Sequence, residues 1–210
     1  MEIKERSCVD CGVINCDVQN KKYPPFCLTT ENCDEKLLKD SLLEYEKQEN
    51  QKIMKNAASV EYEFYLKMTR VEETIEFAKR MGYKKIGIAT CVGLIRETRT
   101  LANILRNHGF EVFGIACKAG AVKKSSIGIP EECEQIGVNM CNPINQALRL
   151  NQEKTDFNIV MGLCVGHDSL FYKYAEAPVT TLVTKDRVLG HNAVAALYTA
   201  DSYYGRIKEE

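Results

Sequence analysis

Lys85-Ile86-Gly87-Ile88-Ala89-Thr90-Cys91 is a short apolar run that ends on a cysteine, and it has the length and composition of a buried strand. On its C-terminal side, Leu94–His108 reads as a helix closed by Gly109, and Phe110–Ala116 reads as a second strand. A Gly- and Lys-containing loop follows, then a short helix near Glu131–Ile136 and another from Pro143 to Gln152. Phe157–Leu163 is the expected third strand, His167–Tyr174 a short helix, Val179–Thr184 a fourth strand and His191–Tyr203 a closing helix. Strands that alternate with helices pair in parallel through crossover connections. Residues 83–210 are therefore expected to form an α/β domain: a small Rossmann-like parallel sheet of about four strands flanked by helices.

Upstream of this domain the apolar period becomes helical. Phe64, Met68, Val71, Ile75 and Ala78 recur at steps of four and three, predicting one helix from an N-cap at Ser59 to Gly82. Leu38, Leu42 and Tyr45 predict another helix from Asp34 to about Gln48, so residues 34–82 read as a helical linker. Residues 1–33 are different. They are rich in Cys, Asn and Pro and have too few large apolar side chains for a core of their own. A segment that small needs a staple, and metal is the one available.

The chain has 210 residues, 28 basic against 29 acidic, and a net charge of −1. No global field draws it to nucleic acid or to an anionic membrane. No apolar run approaches the roughly 20 residues that span a bilayer, and the opening Met1–Arg6 has no secretory apolar region. A cytoplasmic protein is expected, and in a reducing compartment its ten cysteines point to metal ligation or catalysis rather than disulfides. With three histidines, metal chemistry rests mainly on thiolates.

The cysteines form two sets. Cys8-x-x-Cys11, Cys16 and Cys27 supply four thiolates, and a C-x-x-C pair chelates one metal from a single turn that Gly12 lets close. A tetrahedral sulfur set of this kind suits zinc or an iron–sulfur cluster. Cys33 begins a helical pattern and reads as a spare thiol. In the second set, Cys91 follows the first strand, Cys117 the second and Cys164 the third. Parallel sheets bind ligands beyond the carboxyl ends of their strands, so these thiols converge on one crevice. Cys141 precedes Pro143 at a helix start, where anionic thiolates are favoured. A second cluster or metal is expected at Cys91, Cys117, Cys141 and Cys164, with Lys118, His167 and His191 as proton or substrate groups. Asp168 and Asn192 read as helix caps, Lys123–Ser126 as a solvated loop or an aid to binding an anionic ligand, and Cys133 as a thiol without a site.

Cys8-x-x-Cys11-Gly12, Met140-Cys141-Asn142-Pro143-Ile144, Gly162–Phe171 (GLCVGHDSLF) and Lys185–Asn192 (KDRVLGHN) together resemble a known family. These are the uncharacterised metal-binding proteins of archaea and anaerobic bacteria grouped as domain of unknown function 1847. The resemblance implies metal binding through the four N-terminal cysteines and names no reaction. One departure is visible: His191-Asn192 is followed by Ala193 where the family pattern has proline.

Three functions stay open on the sequence. One is an iron–sulfur redox or sulfur-chemistry protein that takes a redox partner protein or a small-molecule substrate. Another is a metal sensor or carrier with structural zinc. The third is a cysteine hydrolase or transferase, because Gly162-x-Cys164-x-Gly166 fits a nucleophile elbow with Asp186 and His191 following in order.

Overall fold

The computed structural model describes residues 6–209, so the first five residues of the N-terminal module lie outside the described residues. The chain divides into two compact units, residues 1–55 and 56–210.

In the first unit, Cys8–Asp10 forms a single 3-10 turn, closed where Cys11 N donates to Cys8 O at 3.2 Å. Helix α1 (Glu35–Glu46) starts at Asp34, whose carboxylate accepts from Leu37 N at 2.9 Å. Helix α2 (Gln48–Phe64) follows and runs across the boundary between the units.

The helix expected from Ser59 to Gly82 is two helices. Ser59 lies inside α2, and α3 (Arg70–Met81) starts afresh at Thr69. The break has two local causes. Leu66 takes a left-handed φ of +58°. Thr69 and Glu72 form a reciprocal capping box, with Thr69 N donating to Glu72 Oε2 at 2.7 Å. Gly82, at φ +76°, closes α3 as expected.

The second unit holds strands β1 (Lys85–Thr90), β2 (Glu111–Ala116), β3 (Phe157–Met161) and β4 (Val179–Val183), all parallel in the order β2-β1-β3-β4. Helices α4 (Ile95–Asn107), α5 (Pro143–Gln152) and α6 (His167–Tyr174) connect them. Alternation along β1 assigns the two faces. Ile86 and Ile88 pack with Ile75 and Ala78 of α3 and Leu101 and Leu105 of α4. Ala89 packs with Ala147 and Leu150 of α5 and Phe171 of α6. The result is a four-stranded parallel sheet covered by helices on both faces.

Gly87 shows how closely α5 approaches: a Cβ there would lie 2.1 Å from Asn158 Oδ1 and 2.9 Å from Leu150 Cδ1. The closing helix is shorter than expected. Only Val194–Tyr198 (α7) is α-helical, and Asn192 makes no side-chain cap. The turns around α7 hold polar residues and exposed Tyr203, so the helical period there has no face to bury. No helix among the described residues is long and apolar enough to cross a membrane.

Candidate functional site

Strand order places the chemistry. The chain leaves β1 for β2 on one side and returns for β3 on the other, so the order switches between β1 and β3. Beyond that edge lies a cavity of about 640 Å³, lined by Cys91, Cys117, Cys133, Cys141 and Cys164 together with basic, histidine and apolar side chains.

Backbone hydrogen bonds fix each thiol. Cys91 N donates to Met161 O at 3.0 Å, and Cys117 N donates to Thr90 O at 2.8 Å. Cys91 thus extends the β1–β3 ladder one step beyond Thr90, and Cys117 extends the β1–β2 ladder one step beyond Ala116. Asn142 N donates to Cys117 O at 2.8 Å and draws Cys141 to Cys117. Asn142 also caps α5, accepting from Asn145 N at 3.0 Å, with Pro143 in the first turn. One turn on, the fully buried Gln146 donates from Nε2 to Thr90 O (3.1 Å) and Ile115 O (2.8 Å), tying α5 to the ends of both strands. The Cys164 carbonyl accepts from His167 N at 2.9 Å and Asp168 N at 3.1 Å, so Cys164 starts α6. Asp168 does not cap that helix, since its carboxylate accepts from Ser169 N at 2.8 Å and the N-cap is Gly166.

The side chains form a continuous row. The Cys117 thiol lies beside both Cys91 and Cys141, close enough for each to act on its titration, and Cys141 lies likewise beside His167. Cys117 is almost fully buried and also accepts from Val92 N at 3.4 Å. Cys141 and Cys91, its flanking partners, together with burial hold the Cys117 thiol protonated and push its pKa up. The same proximity acts oppositely on those partners. Cys141 falls to about 4, first through Cys117 and then through His167. Cys91 falls to about 5 through Cys117, with Gly93 N and Lys185 adding to the shift. His167 is raised, chiefly by Cys141. Arg187 Nη2 donates to Cys164 Sγ at 3.0 Å.

All seven residues expected at the strand ends line this cavity: Cys91, Cys117, Cys141, Cys164, Lys118, His167 and His191. Their neighbours differ from the expectation in two places. Lys118 donates to Asn139 O and pins the backbone before Cys141. His191, at φ +70°, opens no helix; its Nδ1 accepts from Asp186 N at 3.1 Å and closes a loop. Asp186 turns its carboxylate onto Val188 N (2.9 Å) and Leu189 N (2.8 Å). An Asp–His pair serving Cys164 is therefore not assembled. Gly162 has a packing role instead: at φ +69°, a Cβ there would lie 2.2 Å from Leu94 Cδ1.

Sequence reasoning missed Cys133, which lines the cavity, and read the loop that holds Lys124 first as solvated and only second as an aid to binding an anionic ligand, whereas Lys124 lines the cavity too. Lys124 is no part of a solvated loop; it is buried and donates to Cys133 O. The connection folds back on itself through the Lys123–Asn139 bridge and the bond from Met140 N to Val122 O (2.8 Å). The available signal is the unusual length of the segment between β2 and α5, because loops beyond about 12–15 residues are usually functional.

In the first unit the four N-terminal cysteines differ in burial. Cys27 is buried, Cys11 half-buried, and Cys8 and Cys16 exposed. The Cys27 pKa is lowered, first by the Thr30 hydroxyl and then by Thr29 N. Among the described residues, no three His, Cys, Asp or Glu side chains are placed to hold a single metal ion.

Comparison with known proteins adds the family and little else. An uncharacterised protein of Methanocaldococcus jannaschii is 46% identical over 191 residues, 91% of this chain and 96% of its own. Dph2 of Pyrococcus horikoshii aligns with 67% of this chain at 18% identity and a TM-score of 0.37. The same protein crystallised with a 4Fe-4S cluster aligns at 21% identity and a TM-score of 0.36. The chain spans about a third of that protein's length (32% and 33%), and a likeness this low speaks for neither a common site nor a common cluster. The family described as protein of unknown function DUF1847 matches residues 27–182, which include Cys27 and the strand-end cysteines Cys91, Cys117, Cys141 and Cys164 but not Cys8, Cys11, Cys16 or His191. The chain belongs to the DUF1847 family.

Proposed function

We propose that the strand-end cavity is a thiolate site that binds an iron–sulfur cluster and serves redox or sulfur-related chemistry. The observation that carries this reading is the row Cys91–Cys117–Cys141–His167, with Cys164 and Cys133 on the same cavity and no carboxylate among its lining residues. An all-thiol and imidazole donor set selects soft metals and excludes Mg²⁺ or Ca²⁺. The thiols lie in a row and do not converge on one point. A cluster presents several irons to several cysteines, so a row suits it better than it suits a single tetrahedral zinc.

Cys91, Cys117, Cys141 and Cys164 are the ligands in this reading. A bound cluster supplies one-electron transfer or an iron that takes a sulfur ligand. The chain's own residues do the remainder. Cys117, fixed by Thr90 O and Val92 N, holds the centre of the row. Lys185 and Arg187 offset thiolate charge at Cys91 and Cys164. His167, whose pKa is raised chiefly by Cys141, would hold a proton beside that sulfur. The N-terminal cysteines form a separate metal module in the same reading, holding zinc or a second cluster.

The test is iron and acid-labile sulfide analysis of anaerobically prepared protein, wild type beside Cys117→Ala. Iron and sulfide lost in the variant support the reading, and a wild type that binds only zinc after anaerobic reconstitution overturns it.

A second reading rests on the Cys141–His167 contact. A thiolate beside an imidazolium is the arrangement of cysteine nucleophiles, and here it falls on Cys141 rather than Cys164. Alkylation of anaerobically prepared, metal-replete protein by a limiting thiol-directed probe separates the two: preferential labelling of Cys141 favours it, and protection of Cys141 that is lost when the metal is removed opposes it.

A further inference from the structure

The cavity is lined by four cations and by no carboxylate. Lys118, Lys124, Lys185 and Arg187 line it, and among the described residues none of the four pairs with a carboxylate. Lys124 is the clearest case, a buried ammonium whose partner is a backbone carbonyl. Cations without a carboxylate partner in a concave, partly desolvated site attract anions, because low-dielectric walls focus their field. The rest of the lining includes the apolar side chains of Val92, Ile129, Ile136 and Met140. At about 640 Å³ the cavity is of the size that encloses small organic ligands.

We propose that the cavity binds a small organic oxyanion beside the cysteine row. Its carboxylate or phosphate head lies between Lys185 and Arg187, and its short apolar body lies against Ile129, Ile136 and Met140. The planar guanidinium of Arg187 matches either head in a bidentate fork. Lys185 reaches the same region from two residues earlier, its Nζ lying 3.9 Å from where a Cβ on Gly93 would sit, close to Cys91. The inference shares its cavity with the cluster reading but does not need the metal, since the cations and the apolar side chains belong to the chain itself.

Calorimetric titration of reduced, metal-free, full-length protein at low salt tests it, with butyl phosphate, butyrate, inorganic phosphate and butanol as probes. One of the two organic anions is expected to saturate a single site. Inorganic phosphate is expected to bind about tenfold more weakly, equivalent to about 1.4 kcal/mol, and butanol not at all. The two organic probes distinguish a phosphate head from a carboxylate head. Arg187→Gln and Lys185→Gln are each expected to weaken the better probe by about tenfold or more, with an unchanged circular dichroism spectrum. No saturable binding, equal binding of butanol, or binding indifferent to both variants would overturn the proposal. Cys117→Ala separates the two ideas. Lost iron with retained anion binding is the expected outcome. Iron retained by the wild type with no anion binding refutes the anion site alone.

Discussion

Replacing Gly162 with alanine tests how the end of β3 is packed under the cavity. Two penalties add at this position. Alanine at φ +69° pays the left-handed cost, about 1–2 kcal/mol for an L side chain. Its Cβ would also lie 2.2 Å from Leu94 Cδ1, a buried side chain, and 3.6 Å from Lys185 Cε. Overpacking of that kind costs about 1–3 kcal/mol, so the sum is about 2–5 kcal/mol. Gly166 provides the control. It takes φ +80°, and a Cβ there would meet nothing within 4 Å, so Gly166→Ala carries the conformational part alone. The assay is urea denaturation of the metal-free protein followed by circular dichroism. With an m-value of about 2 kcal/mol per molar urea, Gly162→Ala lowers the midpoint by about 1 M or more. Gly166→Ala lowers it by about half as much. Equal effects of the two substitutions would refute the close contact with Leu94. An effect of Gly162→Ala below about 1 kcal/mol would refute the left-handed strain as well.

Alkylation of Cys141 in metal-free protein should persist down to about pH 4, where its thiolate is lost, whereas an unperturbed thiol loses reactivity below about pH 8.5. His167→Gln should move that profile upward, and a profile indifferent to the substitution would contradict the contact. The sign for stability follows from linkage. A depressed thiol pKa contributes stability above the unfolded value near about 8.5, and that stability is lost as pH falls towards about 4. The raised Cys117 and His167 pKa values act in the opposite direction, contributing below their unfolded values and losing it as pH rises. Gln146→Leu should cost about 1–3 kcal/mol in thermal or urea unfolding, because Thr90 O and Ile115 O lose their shared donor. A neutral result would mean that those carbonyls find other partners.

Much of the fold is legible in periodicity because the central strands are buried. Lys85–Thr90 shows almost no exposure after its first residue, and α5 and α6 begin and end where proline, histidine and apolar spacing place them. The differences have physical sources. Apolar spacing continues from Phe64 to Ala78 across a real break, and only the Thr69-x-x-Glu72 capping box marks that break in the sequence. Spacing also cannot tell a helix from a run of turns when no face is buried, as after Asn192. At the site, parallel topology alone brings Cys91, Cys117 and Cys164 to one edge. Cys133 and Lys124 reach the cavity because a long loop returns them through a single antiparallel bridge, which leaves no local pattern. The thiol–cation pairing at Arg187 and Lys185 is likewise a product of tertiary approach.

The most direct measurement is made on full-length protein carrying Cys8→Ser, Cys11→Ser, Cys16→Ser and Cys27→Ser, prepared and reconstituted anaerobically. If the strand-end thiols hold a cluster, this protein retains iron, acid-labile sulfide and visible cluster absorption, and loses all three when Cys117→Ala is added. A colourless protein without iron or sulfide, before Cys117 is touched, would contradict the assignment.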